Sequence, residues 1–462
     1  MRASLGGFLE AAFIPTVALA LAAVVSLASP AAVRAQAAGS APAGDPVLRA
    51  LIDEALARNP DLSAARSAIK AAHTRPGQIS ALPDPMVSLT YTNDGWAPSL
   101  GSMSMTTLGL MVSQDLPFPG KQKQRVDVAA NEARQSEPPL ARARLTIEAA
   151  VTRAYYGLLL ARQLAGLTTE QRELWRQVEA VTRARYAAGQ GAQQDVLRVQ
   201  VEVTRVEQRA IEQESEAELR LAELNRLLAR PIDQRLDTTA RVVLRPLTTS
   251  LPDAIAQAHA ISPELAAARL SVATERSVLA LAKLDFKPDF SVQAGYMNRG
   301  GLAPMWIAGV GVSLPLNKAK RRSAVAESEL RSEGDGHVIE SIDLQLRLRT
   351  QERYTRARTA EKIIELYDQG IIAQDQMTVE AAIANYQSGR VPFVSVLEAM
   401  TSLYADRWTR ETLVTDHARL LASIKEASLE ASPEMATAGA MTAARAAGAP
   451  GAMGSGMGGR QE

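Results

Sequence analysis

The sequence repeats itself at a spacing of about 200 residues. Two short motifs carry the repeat: Asn59-Pro60-Asp61-Leu62 returns as Ser262-Pro263-Glu264-Leu265, and Tyr186-Ala187-Ala188-Gly189 returns as Tyr386-Gln387-Ser388-Gly389. Solenoid repeats are only about 20 to 50 residues long, so a repeat of this length must contain a set of helices and strands. We therefore predict two copies of one architecture, at residues 36–250 and 251–431.

The two ends of the chain differ from the repeats. Residues 1–35 combine a weakly basic start, a short apolar run and small residues near Ala35, which predicts a secretory signal peptide. Residues 432–462 are rich in Ala, Gly and Met without periodicity, which predicts a disordered tail. The chain contains no Cys, so the exported form is expected to carry no disulfide and no lipid anchor on cysteine.

Within each repeat the periodicity changes from helix to strand and back to helix. Helical patterns cover residues 46–80, 121–188 and 192–229 in the first copy and 252–282, 318–388 and 393–430 in the second. Alternating runs predict two strand pairs, at 87–92 and 103–116 and at 290–296 and 305–314. Pro138-Pro139 predicts a break in the first long helix, whereas the second has no proline before Pro392 and is expected to be more regular.

Composition excludes several classes of protein. The 51 Lys and Arg residues balance 50 Asp and Glu residues, and aromatic residues make up 4% of the chain, so a nucleic-acid-binding surface is not predicted. The four histidines match no metal-ligand spacing, and they are His73, His259, His337 and His417. Because no nucleophile with a base, phosphate loop or dinucleotide motif is found either, we predict neither an enzyme nor a cofactor or metal site.

The alternating runs have the length and weak amphipathicity of transmembrane β-strands. Four strands cannot close a barrel, and open edges in a bilayer leave backbone groups without hydrogen bonds, so the chain is expected to oligomerise. Three copies would supply twelve strands. The aromatic residues in or beside these runs are candidates for a girdle at the lipid surface, or alternatively for the core of a soluble sheet: Tyr91, Trp96, Tyr296 and Trp306.

The duplicated layout of helix, strand pair, long helix and return helix resembles the TolC family of outer-membrane factors over residues 46–430. The two Tyr-x-x-Gly motifs, each followed by Val-Leu, are the most specific marks of the resemblance. The resemblance implies a mainly α chain with a small membrane β part. It also implies a homotrimer with a twelve-stranded β-barrel in the outer membrane and an α-helical barrel in the periplasm. The implied partners are a periplasmic adaptor protein and an inner-membrane RND-type transporter.

The resemblance also implies roles for residues at the periplasmic tips. Gly189 and Gly389 match the turns that meet the adaptor, while Asp195 and Tyr386 match residues that hold the tips closed. The family's basic residue beyond the second tip is missing, because Val391 stands there, and Arg390 is the candidate substitute.

Two further positions match acidic rings at the narrowest aperture of the family's channels. These positions are Ser395 and Glu398, of which Glu398 alone is acidic. In a trimer, Glu398 would form a ring of three carboxylates, which attracts cations. The alternative is that Glu398 belongs to a solvated helix face.

Within the family, Leu116-Pro117-Phe118-Pro119-Gly120-Lys121 resembles the strand-to-helix junction of the heavy-metal branch, whose ducts are similar to CzcC and CusC. We therefore expect an exit duct for heavy-metal cations. A multidrug or type I secretion duct is the first alternative, and a soluble periplasmic coiled-coil scaffold or adaptor is the second. Methionines in or near the strands would be either a soft-metal path or apolar filler: Met86, Met103, Met105, Met111, Met297 and Met305.

Overall fold

The structure is a computed structural model that describes residues 45–99, 105–238 and 240–430. The predicted signal peptide, the predicted tail and Met103 lie outside these residues. The contacts reported below fall within the unit that begins at Val47. The chain is mainly helical with a small antiparallel sheet, as the sequence predicts.

The first repeat contains helices α1 (Pro46–Arg58), α2 (Pro60–His73), α3 (Arg75–Ser80), α4 (Lys121–Arg134), α5 (Glu137–Ala187) and α6 (Gln193–Leu227), with strands β1 (Met86–Thr92) and β2 (Thr107–Leu116) between α3 and α4. The second contains α7 (Leu251–Ile261), α8 (Pro263–Leu284), β3 (Asp289–Arg299), β4 (Leu302–Ser313), α9 (Lys318–Leu366), a π-helical segment (Tyr367–Ile371), α10 (Ile372–Gln387) and α11 (Phe393–Glu426). None of the described helices is long and apolar enough to cross a membrane.

The four strands pair in the order β1-β2-β3-β4, so β1 and β4 lie at the two edges. Residues directly opposite each other form continuous rows across the sheet, one of which is Leu89, Leu110, Tyr296 and Trp306. All four of these side chains are exposed. The neighbouring row on the opposite face contains Ser88, Met111, Gly295 and Ile307. Because the side chains of a strand alternate between faces, the apolar residues lie together on one face of the sheet. Their exposure shows that nothing within the described chain covers this face.

The first predicted helix of each repeat is in fact divided. Pro60 and Pro263 each begin a new helix, since a proline ring has no N–H and fits best in the first turn. Asn59 has extended backbone, with φ −60° and ψ 126°, and its side chain accepts a hydrogen bond from Asp61 N at 2.9 Å. Ser262 is the equivalent cap in the second repeat, where it accepts from Leu265 N at 3.3 Å. The predictions of continuous helices at 46–80 and 252–282 were therefore wrong.

The predicted break near Pro138-Pro139 is confirmed, since α4 ends at Arg134 and α5 begins at Glu137. The prolines occupy the first turn of α5, where an absent N–H costs little. The second long helix contains an interruption that the sequence reasoning missed, the π-helical segment that includes Gly370. Each repeat therefore has an irregular long helix, at a different position and for a different reason.

The helices form a layer in the order α6, α5, α11 and then α9 with α10. One apolar core lies where α1, α5 and α6 meet, and it includes Leu51, Tyr155 and Leu224. A second core lies nearer the hairpin tips, between the α5–α6 pair and the α10–α11 pair, and it includes Trp175, Val206 and Met400. This second core holds the two long hairpins side by side and so positions their tips.

Replacing Asn59 with Ala should destabilise the protein more than replacing Ser262 with Ala. Both residues are buried and both changes remove a helix cap, but Asn59 Nδ2 also donates to Leu227 O of α6 at 3.1 Å, whereas the second bond of Ser262 is local, from its hydroxyl to Glu264 Oε2. We expect losses of about 2 kcal/mol for Asn59→Ala and about 1 kcal/mol for Ser262→Ala in the free energy of unfolding. Denaturant titrations of the detergent-purified proteins, followed by circular dichroism, measure both. Equal losses would contradict the role of the Leu227 bond.

Candidate functional site

Both helical hairpins reverse direction through the same backbone motif. Gly189 and Gly389 have φ values of +69° and +76°, in the left-handed region that favours glycine. In the first tip, Gln190 N donates to Arg185 O at 2.9 Å and Gly189 N donates to Tyr186 O at 3.0 Å. The same two bonds recur in the second tip. This is the Schellman pattern, in which glycine closes a helix and lets the chain turn sharply.

Arg185 joins the first tip to the second. Its guanidinium lies 4.5 Å from the ring centroid of Tyr386 and also donates to the backbone carbonyl of Tyr386. A further bond runs from Arg185 Nη2 to Gln190 O at 3.0 Å. One arginine therefore combines a cation–π contact with hydrogen bonds to both turns.

Tyr386 is the centre of this link. Its side chain is only 3% exposed, and its hydroxyl donates to Asp195 Oδ2 at 3.4 Å. The ring meets Phe393 edge to face, with centroids 5.7 Å apart. Burial raises the pKa of Tyr386, so the hydroxyl stays protonated and remains a donor to Asp195. The structure thus brings together Asp195 and Tyr386, two of the residues selected from the sequence.

Arg185 was missed by the sequence reasoning, which considered Arg390 as the basic partner. Arg390 lies exposed beyond the second turn, and the guanidinium against Tyr386 is that of Arg185. A signal was present, because Asn385 occupies the position in the second repeat that Arg185 occupies in the first. A charged residue at one of two equivalent positions shows that the two repeats differ there in their contacts.

Ser395 and Glu398 line a cleft of about 800 Å³ between α10 and α11. The same cleft is lined by Asp375, Met377, Thr378, Val391 and Ser402, among others. Burial, together with the nearby carboxylate of Asp406, raises the pKa of Asp375. The cleft therefore contains more acidic groups than Glu398 alone, and the sequence reasoning missed Asp375 because it lies on the other helix.

Arginines on α11 make a second set of links, farther from the tips. Arg410 pairs with Asp368 of the π-helical segment at 2.9 Å. Arg407 lies 3.5 Å from Glu170 on α5 and 3.4 Å from Gln376 on α10. These contacts tie the π-helical segment and α10 to α11, and α11 to the first hairpin. Because they are partly exposed, each stabilises the arrangement only modestly.

The four candidate girdle residues lie at the sheet. Tyr296 and Trp306 are opposite each other on β3 and β4, with ring centroids 5.0 Å apart. The Tyr91 hydroxyl donates to Ser99 O at 2.8 Å, in the loop that follows β1. Trp96 is fully exposed in that loop. Tyr91, Tyr296 and Trp306 share the apolar face and are exposed, so they are not core residues within the described chain.

Comparison with known proteins identifies the family. The sequence profile described as "Outer membrane efflux protein" matches residues 51–230 and 254–427, one segment in each repeat. The chain is a member of the outer membrane efflux protein family.

Relatives of known structure agree with this membership at the level of the fold. The outer membrane protein VceC from Vibrio cholerae matches with a TM-score of 0.69 and 19% identity, over 82% of this chain and 95% of that chain. CusC matches with a TM-score of 0.66 and 19% identity, over 83% of this chain and 92% of that chain. The CmeC outer membrane channel from Campylobacter jejuni gives 0.67 and 16%, over 86% and 89%.

One protein that is similar in sequence is named for resistance to an organic acid. The fusaric acid resistance protein FusA from Burkholderia cepacia is 26% identical over 309 residues. The match covers 61% of this chain and 57% of the relative, so it spans little more than half of that protein's length.

Replacing Asp375 with Asn should remove a charge that burial and the nearby carboxylate of Asp406 both make unfavourable in the folded state. Because the pKa of Asp375 is raised above its ordinary 3.8, the folded state binds this proton more readily than the unfolded state. Wild-type stability from this group is therefore present at low pH and is lost as the pH rises from 3.8 through the folded-state pKa. We expect Asp375→Asn to raise the melting temperature at pH 7 and to lose this advantage near pH 4.

The control for this measurement is Glu380→Gln on the same helix, where the carboxylate is exposed and bonds to Gln376. Thermal melts of both variants at pH 4, 5.5 and 7 separate the two cases. A constant difference between Asp375→Asn and wild type over this range would show that folding does not raise the pKa of Asp375.

Proposed function

We propose that this protein is the outer-membrane exit duct of a tripartite efflux pump. Three copies would form a twelve-stranded barrel in the outer membrane and a helical conduit in the periplasm. The duct would be passive, and a periplasmic adaptor with an inner-membrane RND-type transporter would supply the substrate and the energy. The observation that carries the proposal is a four-stranded sheet with an uncovered apolar face and two open edges, in a chain of the outer membrane efflux protein family.

The physical support for a trimer comes from the sheet. Strand edges in a bilayer lose several kcal/mol for each unpaired backbone group, so β1 and β4 need partners in lipid. About eight strands or more are needed to close a barrel, and three copies of four exceed this number while leaving an open lumen. The apolar row through Leu89 and Trp306 would then face lipid.

The tips would form the periplasmic entrance, and the bonds of Arg185 and Tyr386 would hold it closed. To open, the α10–α11 hairpin would move away from α5 and α6, which breaks the Tyr386–Asp195 hydrogen bond and the cation–π contact. The turns at Gly189 and Gly389 are exposed at the ends of the hairpins, where an adaptor would dock.

Heavy-metal cations are the substrate class that we propose. Acidic groups line the α10–α11 cleft, and rings of carboxylates favour cations. A second candidate is a small organic acid, because the matched relative is a fusaric acid resistance protein. An acidic constriction would slow an organic anion, which makes the two candidates distinguishable.

Tyr386→Phe should increase the open population of the channel. The change removes the hydroxyl bonded to Asp195 but keeps the ring under Arg185. Loss of a hydrogen bond worth about 0.5–1.5 kcal/mol predicts a two- to tenfold rise in open probability. Single-channel recording in planar bilayers measures this, and Tyr186→Phe is the matched control because Tyr186 is half-exposed at the equivalent position of the first tip. Equal effects of the two changes would contradict the gate.

Glu398→Gln should reduce cation selectivity and weaken block by divalent cations in the same recordings, whereas Glu380→Gln should leave both unchanged.

Growth of a deletion strain on graded zinc, copper, silver and fusaric acid then identifies the substrate class. Sensitivity to fusaric acid without sensitivity to any metal would exclude the metal proposal while leaving the duct intact.

A further inference from the structure

An ion pair between a buried lysine and a partly exposed aspartate joins the two repeats where the strands end and the helices begin. Lys121 is the first residue of α4 and is only 3% exposed. Its Nζ lies 3.0 Å from both carboxylate oxygens of Asp289, at the start of β3, and 3.1 Å from Lys287 O. Asp289 also accepts a hydrogen bond from Phe118 N at 2.8 Å. The contact lies beside the pairing of β2 with β3, the point at which the first repeat meets the second.

The sheet itself defines which residues of the two repeats are equivalent. Adding 205 to a position in β1 and 198 to a position in β2 converts the observed pairs of β1 and β2 into observed pairs of β3 and β4. Val87 opposite Val112 becomes Val292 opposite Val310, and Leu89 opposite Leu110 becomes Ala294 opposite Ala308. The duplication is therefore preserved in the strand register as well as in the sequence.

The strand register and the helix starts identify counterparts for the two members of the ion pair. The offset of 205 relates Asp84 to Asp289, whereas Lys318 and Lys121 differ by 197, because the second repeat is one residue shorter between its strand and its helix. Asp84 corresponds to Asp289, since each follows a proline just before the first strand of its repeat. Lys318 corresponds to Lys121, since each is the first residue of the helix after the second strand. Within residues 45–99, 105–238 and 240–430, Asp84 and Lys318 are exposed, and neither makes an ion pair there. They lie beside β1 and β4, the two opposite edges of the sheet.

We propose that Lys318 of one copy pairs with Asp84 of the next copy, and that β4 and β1 of these copies pair in the register that the β2–β3 pair defines. Adding 198 to the β2 residue and subtracting 205 from the β3 residue of an observed β2–β3 pair gives the expected pair between copies. Val112 opposite Ala294 gives Val310 opposite Leu89, and Gln114 opposite Val292 gives Val312 opposite Val87. The proposal rests on the trimeric duct described above and names the surface through which its copies assemble.

Two properties of the chain favour this arrangement over other registers. In this register, Val310 and Val312 meet Leu89 and Val87, so the apolar face continues without interruption from one copy to the next. If the pairing of β4 with β1 slipped by one residue, the apolar side chains of one strand would face the lumen and its polar side chains would face lipid, which is strongly unfavourable. The charges of Lys318 and Asp84 are opposite, and the observed Lys121–Asp289 pair shows that the junction accommodates such a contact.

Paired cysteine variants test the register directly, because the chain contains no native cysteine. We use two variants, Val310→Cys with Leu89→Cys and Gly311→Cys with Ser88→Cys. Adjacent positions in an antiparallel pair alternate between hydrogen-bonded and non-bonded geometry, so one of the two variants has the closer spacing that a disulfide needs. Mild oxidation of the membranes should convert that variant to a covalent trimer on denaturing gels.

Two controls bracket the result. Val112→Cys with Ala294→Cys is the equivalent pair within one chain, and oxidation should leave its size unchanged. Val310→Cys with Val87→Cys represents a register slipped by two residues, and it should give at least tenfold less covalent trimer. Preferential linkage of the slipped pair, or no linkage of either in-register pair in a protein that migrates as a trimer, would overturn this inference while leaving the proposed duct standing.

Charge reversal tests the ion pair separately. Lys318→Glu and Asp84→Lys should each lower the temperature at which trimers dissociate on heated gels, and the double variant should restore it. Lys320→Glu, an exposed change on the same helix, is the control. Failure of the double variant to restore the temperature would overturn the ion pair. A protein that remains monomeric in outer membranes, even as wild type, would overturn the duct and this inference together.

Discussion

The backbone hydrogen bonds that β1 and β4 cannot make within one chain are the constraint on which the rest of the architecture depends. A sheet with an uncovered apolar face is stable in lipid only when its edges are paired. The edges lie at opposite sides of the chain, so pairing by identical copies is head to tail, and it ends only when the ring closes. In the layer of helices, those of the first repeat lie beside those of the second, as the strand pairs do in the sheet. In the proposed assembly, this layer becomes the wall of a conduit.

Near-equivalence of the two repeats serves this closure, because each strand pair and each hairpin repeats around the pore. The two repeats also depart from equivalence, in the loop between the strands and in the helical hairpins. Arg185 has Asn385 as its counterpart, and the first long helix breaks near Pro138 whereas the second is interrupted by the segment around Gly370. In the proposed duct, this difference would allow the two hairpins to take different parts in opening the tips.

The links between the hairpins have moderate strength. Tyr386 is buried, but its bond to Asp195 is long at 3.4 Å, and the Arg407 and Arg410 pairs are partly exposed. Such contacts favour one arrangement without making the alternative inaccessible. Burial, together with the nearby carboxylate of Asp406, raises the pKa of Asp375, so the charged form of this side chain opposes the arrangement. A balance of this kind allows a docking partner to shift the population with a modest binding energy.

The duplication, the strand pairs, the helix break at Pro138 and the glycine turns could be predicted from the sequence, because they depend on periodicity and on the backbone limits of Pro and Gly. The sequence also selected Asp195 and Tyr386, although only through resemblance to a family. The division of the opening helices at Asn59 and Ser262 follows from local signals, Pro60 and Pro263, which the sequence reasoning passed over. The role of Arg185 was visible only in the tertiary structure. The physical reason for Arg185 is that it acts on a ring about 200 positions away, and no local pattern encodes that distance.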